Sequence, residues 1–435
     1  MFTRNRIAGL LSRSLAGFAM AASLAGVAWA ADPIRIGVIF DYTGPLAAGG
    51  STAAGVGTEI AIDMINERGG IEGRQIEPII ADAQSKAEVA ISEATRLLDQ
   101  ENVDFIMGFF SSAQCVPVAQ RIDQQKRFMW ANVCVSSAVF KDKNLKYVFR
   151  AQLHSDQTGE ASCLFLQENA QELFGKDAKD LKVAIVYEDG PYGSGNASAN
   201  EAACGKIGMN IALKEGYART APDLSSLITK LRRARPDAVL HTGYNPDITL
   251  LLRQAKEQGL GWKALIGHGA GYGQIDKLRQ TFGNDAEYIY NVDPVAAQLL
   301  DPSKLAPGLG DVTKEMVRRY KERTGAQEVP PHVSMGFNQS WILFTDVLPR
   351  AIKDHGGIAP ESLRAAALAT DIPEGGTIQG YGVKFFGPGT KMAGQNERSS
   401  PVVMQYTPEG TKIVWPSSIK TADPQALPSG NAFAR

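Results

Sequence analysis

Short apolar runs alternate with amphipathic stretches along most of this sequence, and that rhythm leaves few folds open. Residues 34–40 (IRIGVIF) form a nearly continuous apolar run, as a parallel strand covered on both faces requires. A helix is expected over 51–67, stopped by Gly69-Gly70, then a strand over 75–81 and a helix over 86–100. In that second helix Ala87, Ala90, Ile91, Ala94, Leu97 and Leu98 fall on one face. The alternation repeats with a strand at 103–109, a helix at 113–125 and a strand at 128–133.

A second series begins after 147–151, with strands at 183–187, 210–215, 238–241 and 264–266. One helix between them carries Leu224, Leu227, Ile228 and Leu231 at i, i+3, i+4, i+7 spacing. Strands alternating with helices predict parallel sheets with right-handed crossovers, and two series predict two sheets, hence two lobes. After 288–292 the pattern is mainly helical, at 311–323 and 333–353, which reads as a return to the first lobe. From Gly376 it changes to short strands, 377–386 and a hairpin of 402–406 with 412–415 across Pro408-Glu409-Gly410, expected to close the second lobe. Thr421 to Arg435, rich in Pro, Ala and Gly, is expected to be a loose tail. The domain plan is a leader at 1–30, lobe I at 32–150 plus 290–372, lobe II at 151–289 plus 373–420, and the tail at 421–435.

Arg4, Arg6 and Arg13, an apolar stretch from Leu15 to Trp29 and a final Ala28-Trp29-Ala30 have the order of a secretory signal peptide, with cleavage expected after Ala30. The alternative is an uncleaved anchor, but the apolar part is short against the roughly 20 residues of a spanning helix. Removal takes the formal charge from -1 to -4, so no basic field points to nucleic acid. An exported destination permits disulfides among Cys115, Cys134, Cys163 and Cys204. Four cysteines allow three connectivities; neighbouring elements within each lobe favour Cys115 with Cys134 and Cys163 with Cys204. Buried free thiols are the other reading. No Cys/His spacing suggests zinc, and neither a metal nor a cofactor is expected.

No G-x-S-x-G surrounds Ser51, Ser111, Ser112, Ser194 or Ser334, and no phosphate-binding loop is present, so an enzyme is not supported. The glycines of Gly267-His-Gly-Ala-Gly-Tyr-Gly273 are not spaced for a dinucleotide and read as a loop where backbone comes close to something. In open parallel sheets ligands sit beyond the carboxyl ends of strands. Polar and aromatic residues at those ends include Asp41-Tyr42-Thr43, Ser111-Ser112, 132–136, 189–192, 241–245 and 268–272, drawn from both series. Facing lobes would enclose them in a cleft. Ser111 and Ser112 precede a helix, where free N–H groups and the helix dipole favour an anion; a plain N-cap is the competing reading.

The segments "IRIGVIFDYTGPLAAGG", "GTEIAIDMINERGGIEGRQIEPIIADAQS", "VDFIMGFFSSAQCVPVA", "KVAIVYEDGPYGSG", "DLSSLITKLRRARPDAVLHTGY" and "LLLRQAKEQGLGWKALIG" occur in the order seen in the leucine/isoleucine/valine-binding protein family, periplasmic receptors of ABC importers. The chain resembles that family from Ile34 to at least Phe385. The resemblance implies an α/β, type I periplasmic-binding fold of two doubly wound lobes, crossed by three hinge segments near Arg150, 288–293 and 371–376. It implies that Ser112 and the loop from Val133 to Ser136 hold a solute's carboxylate and amine, with Tyr192 and Tyr244 facing them from the second lobe. The ligand-binding set is therefore Ser111, Ser112, Val133, Val135, Ser136, Tyr192, Tyr244, His268, Tyr42 and Gln152.

Two departures bear on the solute. The family's amino-acid binders usually carry a carboxylate just after the last strand of the second lobe, for the solute's ammonium; here that segment is Gly267 to Gly271. Where some carry a bulky aromatic after the first strand, this chain has Ala47-Ala48-Gly49-Gly50, which reads as opened space. Together they suggest a solute larger than valine, an aromatic or other organic acid lacking an α-amine, unless Asp41 or Asp189 supplies the charge. The expected function is that of a monomeric periplasmic receptor passing a small carboxylate-bearing solute, a hydrophobic amino acid or an aromatic or other organic acid, to the permease and ATPase of an ABC importer. A ligand sensor for a signalling partner is the alternative.

Overall fold

The computed structural model describes residues 32–435, so the leader and the expected cleavage after Ala30 lie outside the described residues. β1 (Ile34–Phe40) is buried along almost its whole length. Ile34, Ile36, Val38 and Phe40 enter one core, while Ile39 packs on the opposite face with Leu97 and Ile106. That two-sided burial is why the run has no polar alternation.

Around β1 come α1 (Thr52–Glu67), β2 (Ile76–Asp82), α2 (Ala87–Asp99), β3 (Phe105–Gly108), α3 (Ser112–Gln124), β4 (Met129–Ala131) and β5 (Val148–Phe149). They build a parallel sheet of order β2-β1-β3-β4-β5, in register from Ile34 opposite Ile76. The two-residue β5 falls within 147–151, after which the second series begins.

The second series is α4 (Ser155–Glu168), α5 (Ala170–Phe174), β6 (Lys182–Glu188), α6 (Pro191–Ile207), β7 (Asn210–Tyr217), α7 (Ser225–Ala234), β8 (Ala238–Thr242), α8 (Asn245–Glu257), β9 (Ala264–His268), α9 (Ile275–Phe282) and β10 (Tyr290–Asp293). The chain then forms α10 (Leu309–Thr324), α11 (Pro331–Ile342), α12 (Leu348–Asp354) and α13 (Pro360–Leu368) before β11 (Val402–Thr407) and β12 (Gly410–Trp415). The second sheet runs β12-β11-β10-β9-β8-β6-β7, with β11 and β12 antiparallel as the hairpin pattern predicts. α11 lies on the first lobe, where Val333 and Phe337 join Ile60 and Ala61 of α1 in one core. The two-lobed α/β architecture is the one expected.

Two expectations need correction. Residues 377–386 form no strand; they make only isolated bridges, Ile372 with Val383 and Phe385 with Asn396. Nor do they close the second lobe, because Ile378, Val383 and Phe385 are buried in the first core. Phe385 meets Trp130 and Phe149 edge-on at 5.7 and 5.2 Å. The C-terminal stretch is also docked rather than loose. The Phe433 ring stacks on Trp262 at 5.3 Å, and the Trp262 N–H donates to the Phe433 carbonyl at 2.9 Å. Hydrogen bonds from Tyr290 and Gln405 to the Gln425 carbonyl and from the Ala432 N–H to Asp285 hold it as well, anchors that composition alone does not show.

Cys115 pairs with Cys134 and Cys163 with Cys204, with Cα separations of 6.4 and 5.2 Å. Among the described residues no helix is long and apolar enough to cross a membrane, and no cluster of side chains is arranged to hold a metal ion.

Candidate functional site

The carboxyl end of β3 leads through Phe110 and Ser111 straight into α3, whose first residue is Ser112. Ser111 is the N-cap, but its side chain makes no capping bond; its carbonyl accepts from the N–H groups of Gln114 and Cys115. The Cys115–Cys134 disulfide ties this first turn to the loop after β4. The buried Arg150 guanidinium fixes the same loop, donating to the carbonyls of Cys134 at 2.6 Å and Ser136 at 3.1 Å. Burial lowers the Arg150 pKa to about 9, still charged at neutral pH. The Ser136 N–H donates to Ser112 Oγ at 3.1 Å, leaving the Ser112 hydroxyl proton available to another acceptor.

From the other lobe, Tyr192 stands in the first turn of α6 and Tyr244 is the N-cap of α8. The Tyr192 hydroxyl donates to the His268 carbonyl. Tyr244 is held by its N–H, which donates to the Asp247 carboxylate at 3.1 Å, and that carboxylate also accepts from Tyr217 at 2.6 Å. The lobes meet here: Phe110 lies 6.0 Å from Tyr244 between ring centroids, and the Ser136 hydroxyl donates to the Pro191 carbonyl at 2.8 Å; within the first lobe the Phe110 ring lies 5.5 Å from His332.

Between these elements lies a narrow interlobe cavity whose space, open mouth included, is about 410 Å³. Its lining joins Phe110, Ser112, Val133 and Val135 of the first lobe, Leu153 and Thr158 after the crossing, Tyr192, Tyr244, His268, Gly269, Ala270, Val292 and Asp293 of the second, and His332 and Met335 of α11. Most of this surface is apolar or aromatic. Among the described residues that line it, Asp293 is the one carboxylate, and there is no lysine or arginine. Burial, opposed only by Asn291, pushes Asp293 up to about 8, and burial holds His268 and His332 near 4. At neutral pH the cavity lining therefore carries little fixed charge.

The profile of the periplasmic binding proteins matches residues 33–403 of this sequence. A Leu/Ile/Val-binding protein homolog 7 from Brucella suis is 33% identical over 409 residues, covering 94% of this chain and 98% of that one. The chain belongs to the periplasmic binding protein family. Two solved structures share its fold. A leucine-binding protein from Thermotoga maritima, 20% identical, superposes with a TM-score of 0.71 over 87% of this chain and 97% of that one. A solute-binding protein from R. palustris in complex with benzoate, 16% identical, superposes at 0.68 over 92% and 98%. All three are named as binding proteins, the R. palustris one as the solute-binding protein of an ABC transporter, and none as an enzyme.

In this periplasmic binding protein Ser112, Val133, Val135, Tyr192, Tyr244 and His268 come together at one cavity. Ser111 and Ser136 lie just behind it, Ser136 spent on Ser112 and Pro191. Tyr42 does not line the cavity: Asp82 accepts from the N–H groups of Tyr42 and Thr43, the Tyr42 hydroxyl donates to Glu59, and the ring packs half-buried on the first core. Gln152 is buried at the crossing, its carbonyl accepting from Gln395 at 2.6 Å and its side chain bonding Leu153 and Tyr381. His268 lines the cavity, but its ring nitrogens already face Thr242 at 2.9 Å and Ser162 at 3.3 Å.

Neither acidic candidate reaches the cavity. Asp41 is committed to the Ser85 N–H at 2.7 Å and to Gln114 at 2.6 Å within the first lobe, and Asp189 is not among the lining residues. The space read as open at Ala47 to Gly50 is filled: a Cβ on Gly50 would lie 2.9 Å from the His332 ring, and one on Gly49 3.4 Å from Asn245. Asp293 falls in the stretch that the resemblance assigns to the hinge, and its sequence signal is its place at the carboxyl end of β10. His332 and Met335 come from a helix more than 200 residues downstream of α3's neighbour β3 in sequence, with no local mark of their role.

Proposed function

We propose that this protein captures a hydrophobic amino acid between its lobes in the periplasm and delivers it to the membrane permease of an ABC importer, acting as a monomer. The observation that carries this reading is that Ser112, at the start of α3, and Asp293 line the same largely apolar cavity. A zwitterion fits that pairing. Its carboxylate is stabilised by the helix N-terminus and the Ser112 hydroxyl, and its ammonium by Asp293. A nearby cation would draw the Asp293 pKa back down and restore its charge. The rings of Phe110, Tyr192 and Tyr244 suit a bulky apolar side chain.

Arg150, the stretch after Asp293 and the stretch before Val402 then serve as the three crossings, and closure presents the permease with a surface that depends on solute. This divides the lobes at about 396 rather than 372 near the C-terminus, because residues 378–385 belong to the first core.

A second reading is favoured by the raised pKa of Asp293: a protonated Asp293 can donate to a solute carboxylate, which suits an aromatic acid without an amine. The benzoate in the R. palustris structure is consistent with such a solute in this fold. A thermal-shift screen of amino acids, aliphatic acids and aromatic acids separates the two, since binding raises the unfolding midpoint by mass action. The proposal expects hydrophobic amino acids among the stabilising compounds, with their esters and amides inactive. Stabilisation by acids alone would overturn it.

A further inference from the structure

His332 enters the interlobe cavity from the first turn of α11, and the protein occupies only one edge of its ring. The Nδ1–Cε1 edge is packed between two bare backbones: a Cβ on Gly50 would lie 2.9 Å from Nδ1, and one on Gly273 2.7 Å from Cε1. On that edge Nδ1 meets Nε2 of Gln274, from the second lobe, at 3.0 Å. An amide nitrogen only donates, so Nδ1 accepts. Burial holds the His332 pKa near 4, so the ring is neutral at neutral pH and its single proton sits on Nε2.

That Nε2–H is unspent. Among the described residues the Gln274 bond is the one side-chain hydrogen bond the His332 ring makes. Nor is Nε2 one of the fully enclosed polar atoms that lack a partner, so it keeps accessible surface, and the space open to it is the cavity that His332 lines. Its place in that cavity is fixed as well. The Cβ position on Gly273 that lies against the imidazole lies 3.3 Å from the Asp293 carboxylate, so the ring and the carboxylate flank one stretch of backbone.

We propose that His332 is a specificity-determining residue that offers its Nε2–H to an oxygen of the solute, and that Gln274 is the positioning residue that sets this tautomer from the opposite lobe. This rests on the reading of the interlobe cavity as the solute site. Because the Gln274 amide comes from the second lobe, the donor is fixed only when the lobes are together. A solute that turns hydrocarbon towards His332 leaves an N–H unpaired in a closed site, the penalty by which a polar site rejects an analogue lacking the matching group. The accepting oxygen belongs either to the solute's carboxylate or to its side chain.

The test is calorimetric binding of three matched pairs: L-valine with L-threonine, L-phenylalanine with L-tyrosine, and 3-phenylpropanoate with 3-(4-hydroxyphenyl)propanoate. The proteins are the wild type, His332→Gln, which keeps an N–H donor, and His332→Leu, which has none. His332→Leu is expected to bind roughly tenfold or more weakly than His332→Gln. A loss shared by all solutes that bind assigns the acceptor to the carboxylate; a loss confined to the hydroxylated members assigns it to the side chain. Equal affinities in the two variants, whether both match the wild type or both fall, overturn the donor. Proton–nitrogen correlation spectra of the imidazoles, with the tightest of these solutes at saturation, read the tautomer directly. The proton is expected on Nε2 of His332 in the wild type, with the Nδ1–H form appearing in Gln274→Leu. A wild-type proton on Nδ1 overturns the donor whatever the variants do, and an unchanged tautomer in Gln274→Leu overturns the role of Gln274. If the two acids alone bind, the hydrophobic amino acid reading fails, and the same comparison on the acids decides the donor. Binding of none of the six overturns both.

Discussion

Asp293 occupies the space that a side chain on Gly269 would need: a Cβ there would lie 2.9 Å from the Asp293 carboxylate. Gly269 follows β9, where the resemblance implies a carboxylate in amino-acid binders, and Asp293 ends the neighbouring strand β10. The glycine thus opens the site through which an acid from the next strand reaches the cavity. Gly269→Ala is expected to displace Asp293 and to strain a backbone at φ 44°, a cost of about 1–3 kcal/mol for a non-glycine residue. Measured solute affinity should fall while the far-ultraviolet dichroism stays that of the wild type.

Asp293 also makes a statement about pH. Burial pushes its carboxyl up to about 8 in the folded protein, whereas in the unfolded chain it ionises near an ordinary value of about 4. Between those values the folded state binds more protons than the unfolded one, so this group lowers stability as pH rises. Unfolding of solute-free Asp293→Asn should therefore match the wild type near pH 4 and gain on it progressively towards pH 8. A constant difference across that range would show that Asp293 is not held protonated.

Ser112→Ala removes a hydroxyl whose oxygen already accepts from Ser136. If the hydroxyl donates to a solute carboxylate, affinity should fall by about 1.5–3 kcal/mol, the range for a hydrogen bond to a charged group. Calorimetry with any hydrophobic amino acid found in the screen reads this directly. Unchanged affinity removes Ser112 from the site.

The disulfides give a simple readout. Thiol titration of the denatured, unreduced protein should find no free cysteine, and Cys163→Ala/Cys204→Ala should lose about 2–4 kcal/mol of stability in denaturant unfolding. Cys115→Ala/Cys134→Ala should in addition weaken solute binding, because that bridge joins the first turn of α3 to the loop carrying Val133 and Val135.

The sheet strands of both lobes could be read from sequence because parallel strands buried on two faces leave unbroken apolar runs, as in β1. The segment 377–386 misled because its alternating pattern serves a non-ladder packing of Phe385 and Val383 on another lobe's core. At the site, residues at strand ends were legible: Ser112, Tyr192 and Tyr244 all stand where a strand gives way to a helix. His332 was not, since nothing local in α11 says that Gly50 and Gly273 have been left bare to receive its ring. The glycines at 49, 50 and 269 were visible, but they signal an absent side chain and not which neighbour fills the space.

Asp293 is the proposed partner of a solute amine. Calorimetry at neutral pH should compare L-leucine and L-phenylalanine with their deaminated counterparts, 4-methylpentanoate and 3-phenylpropanoate, on the wild type and on Asp293→Asn. In whichever pair binds, the wild type should prefer the amine-bearing member by about tenfold or more, with release of close to one proton as Asp293 ionises, and Asp293→Asn should lose both the preference and the proton. Equal or tighter binding of the deaminated acid by the wild type, or a preference that survives in Asp293→Asn, would contradict it.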